Sequence, residues 1–280
     1  MKTSVYGSSG YVGSNFCKNL LKKNKQYTEI EKGIYKSASE EIVYFISTNS
    51  NYNIFSDPHL DINTNLNYLI SVLDSNKDTC KTFNFISSWF VYGDTDLPAT
   101  TDSYCKPTGF YSITKKCAED LLISYCKTFN IDYRIIRLSN VYGKIDKKAS
   151  KKKNALHFLI NKLVQNIDID LYDNGNVIRD YMHIEDVTEA ISLIIEKGEK
   201  NKIYNVGSGS PSKIFDIINN AKSFLKSSSN IRPVEIPDFH KIVQVKDMYL
   251  DISELKKLGF NQKIDIKSGI EKLCMELKKA

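Results

Sequence analysis

The chain has 280 residues, of which 41% are hydrophobic and 26% charged, a composition typical of a globular protein with a large core. It holds no apolar run of the length that a membrane helix needs, and its first residues lack the features of a signal peptide, which predicts a cytoplasmic protein without a membrane partner. The net charge of +6 arises largely from solvated lysines, among them those of residues 146–154, so we predict no nucleic-acid partner.

Cysteine and histidine usage argues against a metal site. The six cysteines are scattered without a CxxC pair, and in a reducing compartment such residues are small buried hydrophobes or free thiols. The four histidines are too few for a metal cluster. We therefore predict neither a disulfide framework nor a bound metal.

Short apolar segments alternate with segments of helical periodicity along most of the chain. The apolar segments predict strands at residues 3–7, 41–48, 82–88, 132–138 and 203–207. Helices are predicted at residues 12–24, at 61–76, from about residue 111 onward, and up to residue 198. Strands and helices at this spacing form βαβ units, so we expect an α/β fold, a Rossmann-like, doubly wound parallel sheet.

Two regions interrupt the alternation and predict a small, discontinuous C-terminal domain beside the sheet. These regions are residues 146–182 and 208–280, which contain irregular stretches punctuated by prolines. The first domain then consists of residues 1–145 and 183–207.

A glycine motif, GSSGYVG at residues 7–13, directly follows the first strand and opens a helix. Gly7 permits a tight turn, Gly10 lets the backbone approach a pyrophosphate, and Gly13 allows the helix to pack closely on the strand. The start of the helix adds free N–H groups and a positive dipole. In this position the motif favours dinucleotide binding over an ordinary turn.

A second motif, YSITK at residues 111–115, places a tyrosine and a lysine on one face of a helix. An ammonium near a phenol favours the phenolate and lowers its pKa, which makes proton transfer to or from an alcohol oxygen feasible. Ser88 lies at the end of the third predicted strand, where a hydroxyl can bind the same oxygen.

Together and in this order, the motifs resemble the extended short-chain dehydrogenase/reductase family, specifically its nucleotide-sugar epimerase/dehydratase branch. The resemblance extends over nearly the whole chain. Further segments similar to that branch are RLSNVYG at 137–143, LYDNGNVIRDYMHIEDV at 171–187, YNVGSG at 204–209 and VKDMYLDISELKKLGF at 245–260.

The resemblance implies a catalytic set of Ser88, Tyr111 and Lys115. Tyr111 would be the acid and base, Lys115 would lower its pKa and hold the nicotinamide ribose, and Ser88 would orient the sugar C4 oxygen. The first domain would bind NAD or NADP, with contacts from Gly7, Ser9, Gly10, Tyr11, Val12, Gly13, Ser47, Ser87, Tyr111 and Lys115.

The resemblance also implies that the second domain binds a nucleotide-diphosphate sugar. Its implied contacts are Ser88, Trp89, Asn140, Arg179 and Lys246. Arg179 suits a bidentate phosphate contact, since its guanidinium is planar. Lys246 replaces a usual arginine, and both cations have a simpler interpretation as members of surface ion pairs.

The chain is short on the side of the sheet that would hold adenosine. Residues 25–40 leave room for at most one strand where the family has two, because each crossover connection needs a dozen or more residues. Glu29 or Glu31 could meet the ribose hydroxyls, and Lys32 or Lys36 a 2′-phosphate. NAD and NADP both stay open.

Dehydratases of the branch carry an Asp-Glu pair directly after the catalytic hydroxyl, and this chain has Trp89 and Phe90 there. These side chains transfer no protons, so we predict an enzyme that is not a dehydratase. A shortened adenosine site favours a reductase of a 4-keto nucleotide sugar, which must release its cofactor in every turnover. The alternatives are a nucleotide-sugar 4-epimerase and a non-catalytic dinucleotide sensor.

The family resemblance further implies a homodimer. The helices at 61–76 and 111–129 would form a four-helix bundle across a two-fold axis. Apolar residues of the second helix that would supply the contact are Leu121, Leu122, Tyr125 and Phe129.

Overall fold

The computed structural model describes residues 2–145 and 154–279. Its strands are β1 (Thr3–Tyr6), β2 (Tyr27–Ile30), β3 (Glu41–Tyr44), β4 (Thr82–Ser88), β5 (Asp132–Leu138), β6 (Asn140–Tyr142), β7 (Ile169–Tyr172), β8 (Ile178–Arg179), β9 (Tyr181–His183), β10 (Lys202–Val206), β11 (Ser212–Lys213) and β12 (Ile231–Val234). Its helices are α1 (Tyr11–Lys22), α2 (Leu60–Ile62), α3 (Tyr68–Asn76), α4 (Phe110–Thr128), α5 (Ala155–Val164), α6 (Ile184–Lys197), α7 (Ile214–Leu225), α8 (Asp238–Val243), α9 (Ser253–Lys257) and α10 (Ile266–Lys278). A π-helical turn, Asn63–Asn67, joins α2 to α3.

Six parallel strands form the central sheet, in the order β10-β5-β4-β3-β1-β2. Successive residues of a strand enter different apolar clusters, as Val43 and Tyr44 of β3 do. Because both faces are covered, the strands are apolar along their length rather than alternating. The predicted doubly wound sheet is confirmed.

Helices on the two faces of the sheet complete these clusters. Phe16 of α1 and Ile191 of α6 pack on one face. On the opposite face, Leu69 and Leu73 of α3 pack with Leu122 of α4. Each helix therefore buries one apolar stripe against the sheet, as amphipathic segments predict.

β2 is the single strand between residues 25 and 40, as predicted, and it forms the edge of the sheet. The ten residues that follow it return to β3 on the other side of β1. Asn76 holds this connection, because its side-chain amide donates to the Tyr35 carbonyl at 2.7 Å and its side-chain oxygen accepts from the Ser37 amide at 2.7 Å. A buried asparagine thus pairs the backbone groups of a connection without regular structure.

Three short strand pairs lie outside the central sheet: β6 with β9, β8 with β11, and β7 with β12. A third apolar cluster joins α5, α7 and α10 to β7. Residues 245–260 pack on the central sheet rather than in this third cluster, since Met248, Leu250 and Leu255 belong to an apolar cluster of the sheet. The predicted division at 145/146, 182/183 and 207/208 stays a prediction, and residues 146–153 of the lysine-rich stretch lie outside the described residues.

No helix within residues 2–145 and 154–279 combines the length and the hydropathy that crossing a bilayer requires.

Candidate active site

The glycine turn between β1 and α1 is as tight as the motif predicts. Gly7 adopts a φ of +78°, a conformation that side chains disfavour. The Gly10 amide donates to the Gly7 carbonyl at 3.1 Å and precedes α1 as its N-cap. A Cβ at position 13 would lie 2.2 Å from the Gly7 oxygen, so only glycine lets α1 approach the turn this closely. The free N–H groups at the start of α1 form a cradle for an oxyanion.

This turn lies where the strand order reverses. The chain goes from β1 to β2 on one side of β1 and then to β3 on the other side. Ligands of open parallel sheets bind at such a point, beyond the carboxyl ends of the strands. Ser9 is exposed at the turn, while Tyr11 and Val12 are half-buried in the first turn of α1. Ser47 follows β3 at the same edge, and its hydroxyl donates to Asn65 at 3.0 Å.

Ser87, in the last part of β4, carries a buried hydroxyl. Ser87 is 4% exposed, and its Oγ makes no hydrogen bond within the described residues. The Ser139 hydroxyl, just beyond β5, is in the same situation. Since buried hydroxyls are normally paired, these two atoms indicate a ligand at the carboxyl edge of β4 and β5.

The structure brings Ser88, Tyr111 and Ser47 together. Tyr111 lies in the first turn of α4, and Phe90 packs edge-on against its ring at 5.9 Å. Burial raises the pKa of Tyr111, while hydrogen bonding to the Ser88 and Ser47 hydroxyls opposes this rise. The phenol is therefore protonated near neutral pH and lies beside two hydroxyls that can share its proton.

Lys115 lies one helical turn beyond Tyr111 and is 2% exposed. Its Nζ donates to the Ile86 carbonyl at 2.7 Å and lies 4.0 Å from the centre of the Phe85 ring. Burial lowers the pKa of Lys115 to about 7, and the Glu119 carboxylate opposes this shift. Burial raises the Tyr111 pKa overall, so the expectation that Lys115 lowers it stays a prediction.

Glu119 and Arg137 form a buried pair that sequence reasoning missed. Arg137 donates through Nε and Nη2 to the two Glu119 oxygens at 3.0 and 2.7 Å. Glu119 follows Lys115 by four residues, so Tyr111, Lys115 and Glu119 form one buried stripe of α4. This spacing in the sequence was the available signal for Glu119.

Arg179 is buried, at 7% exposure, and its guanidinium is held by backbone carbonyls rather than by a surface ion pair. Nη1 donates to the Ile178 carbonyl at 2.8 Å and to the Lys246 carbonyl at 2.6 Å, and Nη2 donates to the Val245 carbonyl at 2.8 Å. Burial lowers the pKa of Arg179. This geometry leaves Nε and one N–H of Nη2, the nitrogens that bind an oxyanion side-on.

The other predicted substrate contacts differ in accessibility. Asn140 is half-buried, and its side chain donates to the Asp180 carbonyl at 3.0 Å. Lys246 is exposed, so its ammonium lies in solvent while its carbonyl binds Arg179. Trp89 is almost fully buried beneath Arg179 and therefore contacts the site through that guanidinium.

An aromatic cluster that sequence reasoning missed joins the segment after β3 to α8. The Tyr52 hydroxyl lies 3.1 Å from Nδ1 of His240, and the Tyr52 ring meets Phe239 edge-on at 5.0 Å. Phe55 also packs on Phe239, at 4.6 Å. The cluster forms only when segments almost two hundred residues apart meet, so no local pattern reveals it.

Replacement of Gly13 by alanine tests the glycine turn. The new Cβ would collide with the Gly7 oxygen and push α1 away from β1, so we expect a loss of about 1–3 kcal/mol in the free energy of unfolding. Urea denaturation measures the loss. Gly10→Ala is the control, because its Cβ would lie 3.3 Å from the same oxygen and its φ is −75°. Equal losses in both variants would contradict the close approach at Gly13.

Replacement of Lys115 by methionine tests the burial of its ammonium. The folded pKa of about 7 lies below the unfolded value of 10.5, so the unfolded chain binds more protons between these values and wild-type stability rises with pH there. Relative to Lys115→Met, the wild type should gain about 2 kcal/mol between pH 7 and pH 9 in urea denaturation without added nucleotide. Lys116→Met, which removes a partly exposed lysine paired with Asp120, is the control. A difference between wild type and Lys115→Met that stays constant with pH would contradict this account.

Comparison with known proteins agrees with the geometry. The model of the NAD dependent epimerase/dehydratase family matches residues 39–207. A putative UDP-glucose 4-epimerase of Methanocaldococcus jannaschii is 26% identical, over 99% of this chain and 87% of its own. The fold is that of the Thermotoga maritima UDP-glucose 4-epimerase solved with UDP-glucose, with a TM-score of 0.89 at 19% identity over 100% and 99% of the two chains. The Bacillus cereus UDP-glucuronic acid 4-epimerase, solved with UDP-glucuronic acid and NAD, gives a TM-score of 0.87 at 20% identity over 100% and 99%. Since the family model covers more than half of the chain, the protein belongs to the NAD dependent epimerase/dehydratase family.

Proposed function

We propose that this protein is an NAD-dependent epimerase that inverts C4 of a nucleotide-diphosphate sugar. The observation that carries the proposal is the meeting of the Tyr111 phenol and the Ser88 hydroxyl at the carboxyl edge of the sheet, with the buried Lys115 one helical turn beyond Tyr111. Relatives named as 4-epimerases support this reading, which the sequence left as the alternative, better than the 4-keto reductase that it favoured.

The residues at the crevice fit a nicotinamide dinucleotide. The glycine turn offers amides to a pyrophosphate, the Lys115 ammonium suits ribose hydroxyls, and the unpaired Ser87 hydroxyl suits a further polar group of the cofactor. Glu31, which the sequence could not place, is exposed directly after β2, where a carboxylate accepts ribose hydroxyls and repels a 2′-phosphate. This position supports NAD rather than NADP. When bound, the cofactor supplies a hydride acceptor and donor for C4.

Tyr111 is the proposed acid and base at the sugar O4. As a base Tyr111 acts in its phenolate form, after its own proton has passed to solvent. In one half of the cycle the phenolate oxygen takes the proton of the C4 hydroxyl, and in the other half it returns that proton to the same sugar oxygen. The Ser88 hydroxyl holds that oxygen throughout. Proton and hydride are both returned, so epimerisation consumes neither cofactor nor acid.

The residues that follow Ser88 support epimerisation over dehydration. Trp89 packs beneath Arg179, and Phe90 stacks on Trp89 at 4.0 Å. Neither side chain carries a carboxyl group to remove or donate a proton. The Arg179 edge formed by Nε and Nη2 suits the diphosphate of the substrate.

An assay of UDP-, dTDP-, GDP- and CDP-hexoses with substoichiometric NAD tests the function. We expect one pair of 4-epimers to interconvert with no net change in NADH absorbance. Tyr111→Phe should lower kcat by about 10²–10⁴-fold, because the transferable proton is lost. Tyr104→Phe is the control, since Tyr104 is 78% exposed on the loop before α4.

Other outcomes of this assay identify the competing functions. Oxidation of one NAD(P)H for each 4-keto sugar would identify the reductase. Dinucleotide binding without turnover would identify the sensor, and near-normal turnover of Tyr111→Phe would remove Tyr111 from the mechanism.

We also propose a homodimer through α2–α3 and α4. On α4, Ile113 and Leu121 are exposed, and Ile62 and Ile70 are exposed on the neighbouring segment. Leu122, expected at this surface, instead packs in the core, because it lies on the buried stripe of α4 with Ala118 and Glu119. Association of two copies would bury these apolar stripes.

Light scattering of the wild type should give about 64 kDa, twice the chain mass of 32.0 kDa. Ile113→Asp together with Leu121→Asp should give 32 kDa, because the new charges would be buried at the interface. Met275→Asp, at an exposed site on α10, is the control. A wild type of 32 kDa at micromolar concentration would contradict the dimer.

A further inference from the structure

Trp89 links the two ends of the candidate site. It directly follows Ser88, is 3% exposed, and its ring lies 5.3 Å from the guanidinium carbon of Arg179. On its other side it stacks with Phe90, which packs edge-on against Tyr111. A continuous row of contacts therefore runs from Arg179 to the proposed acid and base.

Arg179 has an unusual environment for a buried cation. It forms no ion pair with a carboxylate of the described residues. The nearby carboxylates bind other groups: Asp180 accepts from the Ser208 and Gly209 amides, and Asp247 accepts from the Ile178 amide. Three carbonyls and the face of the Trp89 ring are what hold the guanidinium.

This environment keeps the positive charge available. A carboxylate beside Arg179 would neutralise the guanidinium and compete with an incoming oxyanion. An indole attracts a cation through its ring electrons but carries no charge, so it holds the group without neutralising it. The three carbonyls accept from Nη1 and Nη2 and leave Nε and one N–H of Nη2 for a ligand.

We propose that Trp89 is a positioning residue whose ring fixes the Arg179 guanidinium so that its Nε–Nη2 edge meets the diphosphate of the nucleotide sugar. This inference rests on the proposed function and names the residue that prepares its diphosphate site. It also explains why a large aromatic residue occupies a position directly beside the catalytic serine. If Trp89 served only to fill the core, its replacement would not discriminate ligands with a diphosphate from ligands without one.

The experiment measures the affinities of UDP, dTDP, GDP and CDP, and of the matching nucleosides, by titration calorimetry. For the diphosphate that wild type binds best, Trp89→Leu should weaken binding about thirtyfold, the strength of a desolvated cation–π contact. Trp89→Phe, which keeps an aromatic face, should stay within about threefold of wild type. Nucleoside affinity should be the same in all three proteins.

A double-mutant cycle with Arg179→Ala separates positioning from packing. Trp89→Leu should cause no further loss in the Arg179→Ala background, because its effect acts through the guanidinium. Phe90→Leu is the matched control, since Phe90 stacks on Trp89 whereas the cation–π contact of Arg179 within the described residues is with Trp89, and it should leave diphosphate affinity within about twofold. Trp89 is the only tryptophan of the chain, so wild-type fluorescence should change with the diphosphate and not with the nucleoside.

Additive losses in the cycle, or equal losses for diphosphate and nucleoside, would overturn the positioning role and leave the proposed function intact. If wild type binds none of the four diphosphates, the proposed function fails, and this inference fails with it. Should Trp89→Leu not fold, the comparison rests on Trp89→Phe and the fluorescence response. A fluorescence of Trp89 that does not respond to the diphosphate, or a loss of diphosphate affinity well above threefold in Trp89→Phe, would then overturn the positioning role.

Discussion

All six strands of the central sheet run in the same direction, and the placement of the candidate site depends on this constraint. The turn after β1, Ser47 after β3, Ser88 at the end of β4 and Ser139 after β5 lie at one edge, although they are far apart in sequence. A crossover helix that follows a parallel strand begins at that same edge, so Tyr111, in the first turn of α4, also reaches it. The direction of the strands alone therefore assembles hydroxyls, a phenol and an oxyanion cradle.

Three buried cations at this edge are stabilised in three different ways, and the differences match their proposed roles. Arg137 is neutralised by the bidentate Glu119 carboxylate and is thereby structural. Lys115 has a backbone carbonyl and an aromatic ring as partners, so burial lowers its pKa to about 7 and its charge can respond to a ligand. Arg179 keeps its charge without a carboxylate partner among the described residues and has Nε and one N–H of Nη2 left for a ligand. Charge is neutralised where it supports the fold and left available where a ligand would meet it.

Features that depend on neighbouring residues were predictable, and features that depend on distant segments were not. The glycine turn follows from the sterics of Gly7 and Gly13, and the stripe of α4 follows from four-residue spacing. The predicted strand at 41–48 ends at Tyr44, because the Thr48 amide leaves the sheet to bind the Asn65 side chain at 2.9 Å. The carbonyl contacts of Arg179 with residues 245 and 246 likewise need a chain segment that no local pattern places. The raised pKa of Tyr111 depends on burial by the whole fold.

The shortened edge of the sheet is compatible with the proposed epimerase once its position is known. The sequence predicts that a strand is missing between residues 25 and 40, and from this it predicts a weak adenosine site. In the strand order, however, a further strand would lie beyond β2, away from the switch point between β1 and β3. The turn after β1 and the end of β2, where Glu31 lies, are both retained. These are the positions at which a dinucleotide-binding sheet contacts the pyrophosphate and the adenosine ribose. The Asn76 side chain holds the connection from β2 to β3 in place. The turn after β1 and the end of β2 therefore do not depend on the missing strand. An enzyme that retains its cofactor through every cycle is compatible with this shorter sheet.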